Sequence, residues 1–178
     1  MVLSGNGKAF SSGLDCLSLS LSLSLFPFFL NLPLSFTVQD PENILTSTPD
    51  TDFARKAFNI RRFLLLMQDS FSSIEQCKQP VIAAVHNACM GAGVDLLCAC
   101  DIRYASKDAF FSIKEVDVGL ASDIGTLQRM PKIVGNEGLV RELAYTARHF
   151  SAQEALQFGF VTRVLDSREL MLGLDCHS

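Results

Sequence analysis

The stretch Pro80-Val81-Ile82-Ala83-Ala84-Val85-His86-Asn87-Ala88-Cys89-Met90-Gly91-Ala92-Gly93-Val94-Asp95-Leu96-Leu97-Cys98-Ala99-Cys100 decides the fold. Val81 to Val85 is a continuous apolar run behind a proline, which suits a strand buried on both faces. His86 through Asp95 then carries the chain through small residues into a helix predicted from Gly91 through Cys100. Such a strand-to-helix turn brings backbone N–H groups at the helix start close to a ligand, where the helix dipole favours negative charge. Glycines before a helix also serve tight packing, so the turn by itself leaves an anion or oxyanion site and a purely structural role both open.

Outward from this unit the periodicity alternates. From Thr51, Phe53, Ala57, Ile60, Phe63, Leu64, Met67, Phe71 and Ile74 recur at helical spacing, with Arg55, Lys56, Arg61 and Arg62 off that face. A long amphipathic helix is predicted there. Strand-like segments follow at Ile102 to Tyr104 and Ala109 to Ile113, then helices at Thr126 to Ile133, Glu137 to Arg148 and Ala152 to Phe158. Ser151 is placed to cap the last of these, and Val161 to Val164 reads as a short final strand. Strands alternating with helices imply an α/β domain. Met1 to Gly5 reads as the end of a strand running into a turn, so the chain is expected to begin inside its domain. A second glycine-bearing turn, Gly5 to Asp15, has the form of the first, and two such turns can aim two N–H donors at one carbonyl oxygen.

Composition narrows the class. The 178 residues are 48% hydrophobic, enough for one domain with a sizeable core and too few for two. A net charge of −4 with scattered Lys and Arg offers no basic face to a phosphate backbone, so nucleic acid is not an expected partner. The six cysteines match no metal-ligand spacing, and buried free thiols are expected. Residues 17–40 stand apart. Leu17 to Leu25 alternates Leu and Ser, and Phe26-Pro27-Phe28-Phe29 and Pro33 follow. The stretch has the length of a membrane span, but its prolines, Asn31 and alternate serines argue instead for an inserted low-complexity loop.

Three acids lie in apolar surroundings. Asp95 is flanked by Val94, Leu96 and Leu97, Glu115 follows the strand Phe110 to Ile113, and Asp123 lies in Gly119-Leu120-Ala121-Ser122-Asp123-Ile124-Gly125. Desolvation raises a carboxylate pKa toward neutrality, as acid/base chemistry requires. The pattern equally admits plain roles: Asp95 capping its own helix, Glu115 paired with Lys114 or Arg103, Asp123 capping the helix at Thr126.

At these residues the chain resembles a known family. Pro80 to His86, Met90 to Leu96, Ala99 to Tyr104, Lys114 to Leu120 and Gly125 to Arg129 closely resemble the Δ3,5-Δ2,4-dienoyl-CoA isomerases of the crotonase superfamily, densely from Phe53 to Leu170 and again over Met1 to Cys16. The resemblance implies a ββα spiral over residues 1–16 and 41–170, incomplete at both termini, with an insertion at 17–40 and a non-family tail at 171–178. It makes Leu14 and Ala92 the backbone donors of an oxyanion hole for an acyl-CoA thioester, lined by Ser12, Gly13, Asp15 and Cys16. Family members often have glycine in place of Ala92; the donor is backbone, so a methyl group is tolerated. Glu115 and Asp123 become the proton-transfer pair and Asp95 their support, with no metal and no cofactor beyond the CoA of the substrate. Asp123 separates this reading from that of an enoyl-CoA hydratase, the alternative, which usually has a small residue there. The resemblance further implies a trimer or hexamer and a mitochondrial location, with the peroxisome as second compartment. Against an active enzyme stands a different expectation: a sheet lacking its first strands exposes core surface, as in an inactive fragment that folds only among longer subunits.

Overall fold

A computed structural model describes residues 1–4, 11–12 and 52–166. Its elements in chain order are β1 (Val2–Ser4), β2 (Ser11–Ser12), α1 (Phe53–Glu75), β3 (Ile82–Val85), β4 (Ala88–Met90), α2 (Ala92–Ala99), β5 (Ile102–Ser106), β6 (Phe110–Ser112), a 3₁₀ turn (Glu115–Val118), α3 (Thr126–Val134), α4 (Glu137–Thr146), β7 (Phe150–Ser151), α5 (Ala152–Gln157) and β8 (Arg163–Leu165). Among the described residues the strands form two sheets, ordered β1-β3-β5-β8 and β2-β4-β6-β7. The first is parallel throughout, and the second ends in the antiparallel pair β6 and β7. The α/β class and the ββα spiral are therefore as expected.

The apolar run at 81–85 becomes the inner strand β3, with Val81, Ala83, Ala84 and Val85 all buried. Strand β4 went unforeseen, as did the two-residue strands β2 and β7. Between Val85 and the helix the chain does not merely turn: it breaks at Asn87, where φ is 51°, and re-forms as β4 in the second sheet. Asparagine tolerates the left-handed region better than most side chains, so the kink falls at the residue that accepts it most readily. The same alternation carries β1 to β2 and β5 to β6, so each of the first three strands of the first sheet is followed by one in the second. The register is tight where it matters, with Ser12 beside Met90 and Met90 beside Ser112.

Aromatic packing closes the second sheet. Phe111 stacks on Phe150 at 5.3 Å between ring centroids, and Phe160 meets Phe111 edge-on at 5.6 Å. Beside them the buried Arg103 donates from Nε to Phe160 O (2.6 Å) and from Nη1 to Cys100 O (2.5 Å) and Leu97 O (3.3 Å). A guanidinium among carbonyls at the C-terminal end of α2 is stabilised by that end's negative dipole.

Helix α1 begins at Asp52, whose side chain accepts from Arg55 N at 2.9 Å. Its predicted face is only half used: Met67 is buried and Phe63, Leu64, Phe71 and Ile74 are partly covered, while Phe53 is 92% exposed. Cys89, Cys98 and Cys100 are buried and form no disulfide, and burial pushes the Cys98 and Cys100 thiols well up. The Ser151 cap forms as expected, accepting from Glu154 N at 3.2 Å. Among the described residues no helix is long and apolar enough to cross a membrane. The 17–40 stretch and the 171–178 tail lie outside the described residues.

Candidate active site

The site is built where β4 gives way to α2 and where β6 runs into the 3₁₀ turn. Gly91 stands before α2 with φ 55° and ψ −123°, a backbone state that a side chain would strain. Its N–H donates to Ser112 O at 3.0 Å, tying the start of α2 to the end of β6. Ala92 is the first residue of α2 and is half-buried, so its N–H belongs to the donors that a helix leaves unused at its start. From β6 the buried Ile113 leads through Lys114 to Glu115, and Gly119, with φ 74°, reverses the chain. Leu120 N then donates to Glu115 O at 2.9 Å, and the segment returns through Ser122 and Asp123 to α3.

The three acids meet here. Asp95, fully buried on α2, accepts from Thr126 N at 2.6 Å with Oδ1, while its Oδ2 has no partner. Asp95 and Asp123 both raise the pKa of Glu115 through their charge, so the group acts as one electrostatic unit. Burial is the larger cause: it pushes the Glu115 carboxyl up to about 7, against the opposing effects of its own backbone N–H and the Ser122 side chain. Burial likewise raises Asp95, opposed by its bond to Thr126. Besides Asp95 Oδ2, the buried Glu115 Oε2 accepts no hydrogen bond of full geometry, and the buried Ser122 and Thr126 hydroxyls stand close to these two acids. Unpaired polar atoms so grouped carry a desolvation cost that a binding or proton-moving site can use.

Each plain reading of these acids gives way to another contact. Asp95 caps a helix, but α3, 31 residues ahead, rather than its own. Glu115 pairs with neither candidate: Lys114 bonds to Asp117, and Arg103 is spent on the three carbonyls. Asp123 is not the cap of α3, because Gly125 holds that position without a side chain and Asp95 supplies the missing acceptor. Ser12 lies in β2 beside Met90, two residues before Ala92. Gly13, Leu14, Asp15 and Cys16 lie outside the described residues.

Other residues at the site escaped the sequence reading. Gln68 Nε2 donates to Asp123 O at 2.8 Å, and Arg129 bonds to Glu75 Oε2 at 2.9 Å and Ser72 Oγ at 3.0 Å. Gln68, Ser72 and Glu75 sit at i, i+4 and i+7 on α1, a polar stripe at helical spacing that was available as a signal. Among the described residues no three His, Cys, Asp or Glu side chains are grouped so as to hold a metal ion.

The dual role of Asp95 is open to measurement. Asp95→Asn keeps an oxygen for Thr126 and removes the charge, so the Glu115 midpoint is expected to fall below 7 while the melting temperature holds. Asp95→Ala loses the cap as well and is expected to destabilise by about 1 kcal/mol. Carbon-13 carboxyl titrations and thermal melts separate the two effects.

A family profile for enoyl-CoA hydratase/isomerase matches residues 60–173. The chain is 45% identical, over 97% of its length, to the rat protein named mitochondrial Delta(3,5)-Delta(2,4)-dienoyl-CoA isomerase, of which it covers 46%. It is 47% identical over 94% to the peroxisomal isomerase of that name from Arabidopsis thaliana, of which it covers 52%. The chain thus spans about half the length of these curated relatives. A Thermobifida fusca structure described as an enoyl-CoA hydratase in complex with acetoacetyl-CoA superposes with a TM-score of 0.71 at 29% identity, over 98% of this chain and 60% of that one. The chain belongs to the enoyl-CoA hydratase/isomerase family.

Proposed function

We propose that this chain carries the catalytic centre of a dienoyl-CoA isomerase, converting a 3,5-dienoyl-CoA to the 2,4-dienoyl-CoA in fatty acid β-oxidation. The observation that carries the proposal is the single cluster of Asp95, Glu115 and Asp123, with Glu115 raised to about 7, beside the N-terminus of α2. A carboxyl titrating near neutrality can take a proton and return it at little cost. The N–H of Ala92, joined by that of Leu14, polarises the thioester carbonyl. Donors preorganised in this way are worth roughly 3–4 kcal/mol each in barrier lowering. The parallel register of β2 on β4, which ends with Ser12 beside Met90, two residues before Ala92, supports this pairing.

The reaction balances without a further reactant. One carboxylate removes a proton from the carbon next to the thioester, and the electron pair spreads into a dienolate whose oxygen is held by the two N–H groups. The other carboxyl delivers a proton to the far end of the conjugated system, which shifts both double bonds toward the thioester. Glu115 and Asp123 are the pair, and Asp95 keeps Glu115 high and holds α3 in place. Gly13, Asp15 and Cys16, with Ser12, line the thioester. The CoA moiety belongs to the substrate and no separate cofactor takes part. The names of the relatives support a mitochondrial location, with the peroxisome second, and the family resemblance supports assembly as a trimer or hexamer.

The test supplies a 3,5-dienoyl-CoA and a simple 2-enoyl-CoA to the purified chain, with size-exclusion chromatography alongside. Turnover of the dienoyl substrate alone is expected. Hydration of the enoyl substrate, unaffected by Asp123→Asn, is the result of a hydratase and overturns the isomerase reading. The pH profile of kcat/KM is expected to bend near 7, where Glu115 titrates in the free enzyme; a profile flat from about pH 5.5 to 8 contradicts the role of Glu115.

A further inference from the structure

We propose that Gln68 is a positioning residue for the Asp123 carboxylate, an inference that rests on the isomerase reading above. Asp123 belongs to the short return segment between Gly119 and α3, where Leu120 and Ala121 are exposed. Its N–H is used locally, on Ala121 O at 2.9 Å, and this bond fixes only a tight turn. The long-range tie at this residue is the bond from Gln68 Nε2 to Asp123 O, 2.8 Å long and spanning 55 residues of sequence. A carbonyl accepts only from the amide nitrogen of Gln68, so the chemistry of the pair sets the orientation of the side chain. The N–H bond holds the peptide plane before the Asp123 Cα and the Gln68 bond holds the plane after it, and the two planes together set the Cα–Cβ bond that aims the carboxylate.

The donor is itself held. Met67, next to Gln68 in α1, is buried, and one and two turns further on Ser72 and Glu75 both bind Arg129 of α3. At the other end of the segment Thr126 N is fixed by Asp95 of α2. Residues 123–126 are thereby gripped at both ends by side chains from two different helices. Arg129 closes the frame: a side-chain carbon at Gly125 would collide with its guanidinium, so the segment and the Arg129 bridge pack directly against each other. Loss of the Gln68 bond frees the Asp123 end alone. A displacement of about 1 Å in a group that transfers a proton can cost on the order of 10²-fold in rate.

Gln68→Met retains side-chain length and removes the donor, and Gln68→Lys restores one. In the full chain, Gln68→Met is expected to lower kcat on the 3,5-dienoyl-CoA by roughly 10–100-fold with KM and melting temperature near parental values, and Gln68→Lys to recover much of the loss. Asp95 and Asp123 both act on Glu115, so the Glu115 titration, followed by carbon-13 carboxyl NMR, reports the position of Asp123 without any turnover. Its midpoint is expected to fall in Gln68→Met and in Asp123→Asn, and to fall no further in the double variant. A parental midpoint in Gln68→Met, or an equal further drop on top of Asp123→Asn, overturns the positioning role. A shifted midpoint in a chain that turns over no dienoyl substrate overturns the isomerase reading and leaves the positioning role standing.

Discussion

Glu115→Gln is expected to lower turnover of a 3,5-dienoyl-CoA by about 10²–10⁴-fold, the usual contribution of a positioned acid/base group, and Asp123→Asn by a similar factor. Both substitutions are nearly isosteric, so the packing and the backbone stay as they are and only the titratable carboxyl group is lost. The two losses should not multiply. A proton shuttle with one end disabled is already broken, so the double variant is expected to sit close to the worse single one. Stability distinguishes loss of chemistry from loss of fold, and here the sign runs the other way. The Glu115 pKa is raised from 4.5 to about 7 in the folded chain, so between those values the native state binds more protons than the unfolded one. Stability therefore falls as pH rises through that window, and the full cost of the buried charge persists above about pH 7. Glu115→Gln carries no such cost, so it should melt at or above the parental temperature at pH 8, with the difference vanishing below about 4.5. A variant that keeps activity within about threefold of the parent, or that melts lower at pH 8, contradicts this account of Glu115.

Arg103→Met is expected to destabilise the domain by about 3 kcal/mol, roughly 100-fold in the unfolding equilibrium, because it strips donors from buried carbonyls while keeping most of the side-chain volume. Arg103 is only 6% exposed, and its guanidinium serves Phe160 O, Cys100 O and Leu97 O while lying 5.8 Å from the centre of the Phe160 ring. Burial pulls its pKa down, a cost met by the carbonyls and by the negative end of α2. The backbone of the same residue is separately held, with its carbonyl accepting from Thr162 N at 2.9 Å, so the variant tests the side chain alone. Urea unfolding should show a lower midpoint with an unchanged slope, and Arg103→Lys should recover only part of the loss, since an ammonium cannot reproduce the fork of donors. A change below about 0.5 kcal/mol would mean that those carbonyls find water or other partners in the variant.

What the sequence determined by itself is local. The apolar run at 81–85, the long helix at 53–75, the Ser151 cap and the order of the later strands and helices follow from residue type and period, because each depends on neighbours within a turn or two. The three acids were also legible as candidates, since charge within apolar sequence is conspicuous at short range. Their roles were not. Cap, ion pair and catalyst look alike until distant residues are brought in, and the resemblance to a family, rather than spacing, separated them. Only the tertiary structure decided that the acid capping α3 comes from α2, that Gln68 of α1 reaches the backbone of Asp123, and that β4 interrupts the path from β3 to α2. It also left the first turns of α1 exposed, although their pattern matches the rest of the helix. The physical reason is the same in each case. Hydrogen bonds over 31 or 55 residues, and the desolvation that lifts Glu115 to about 7, arise from which surfaces the whole chain buries together, and no local period encodes that.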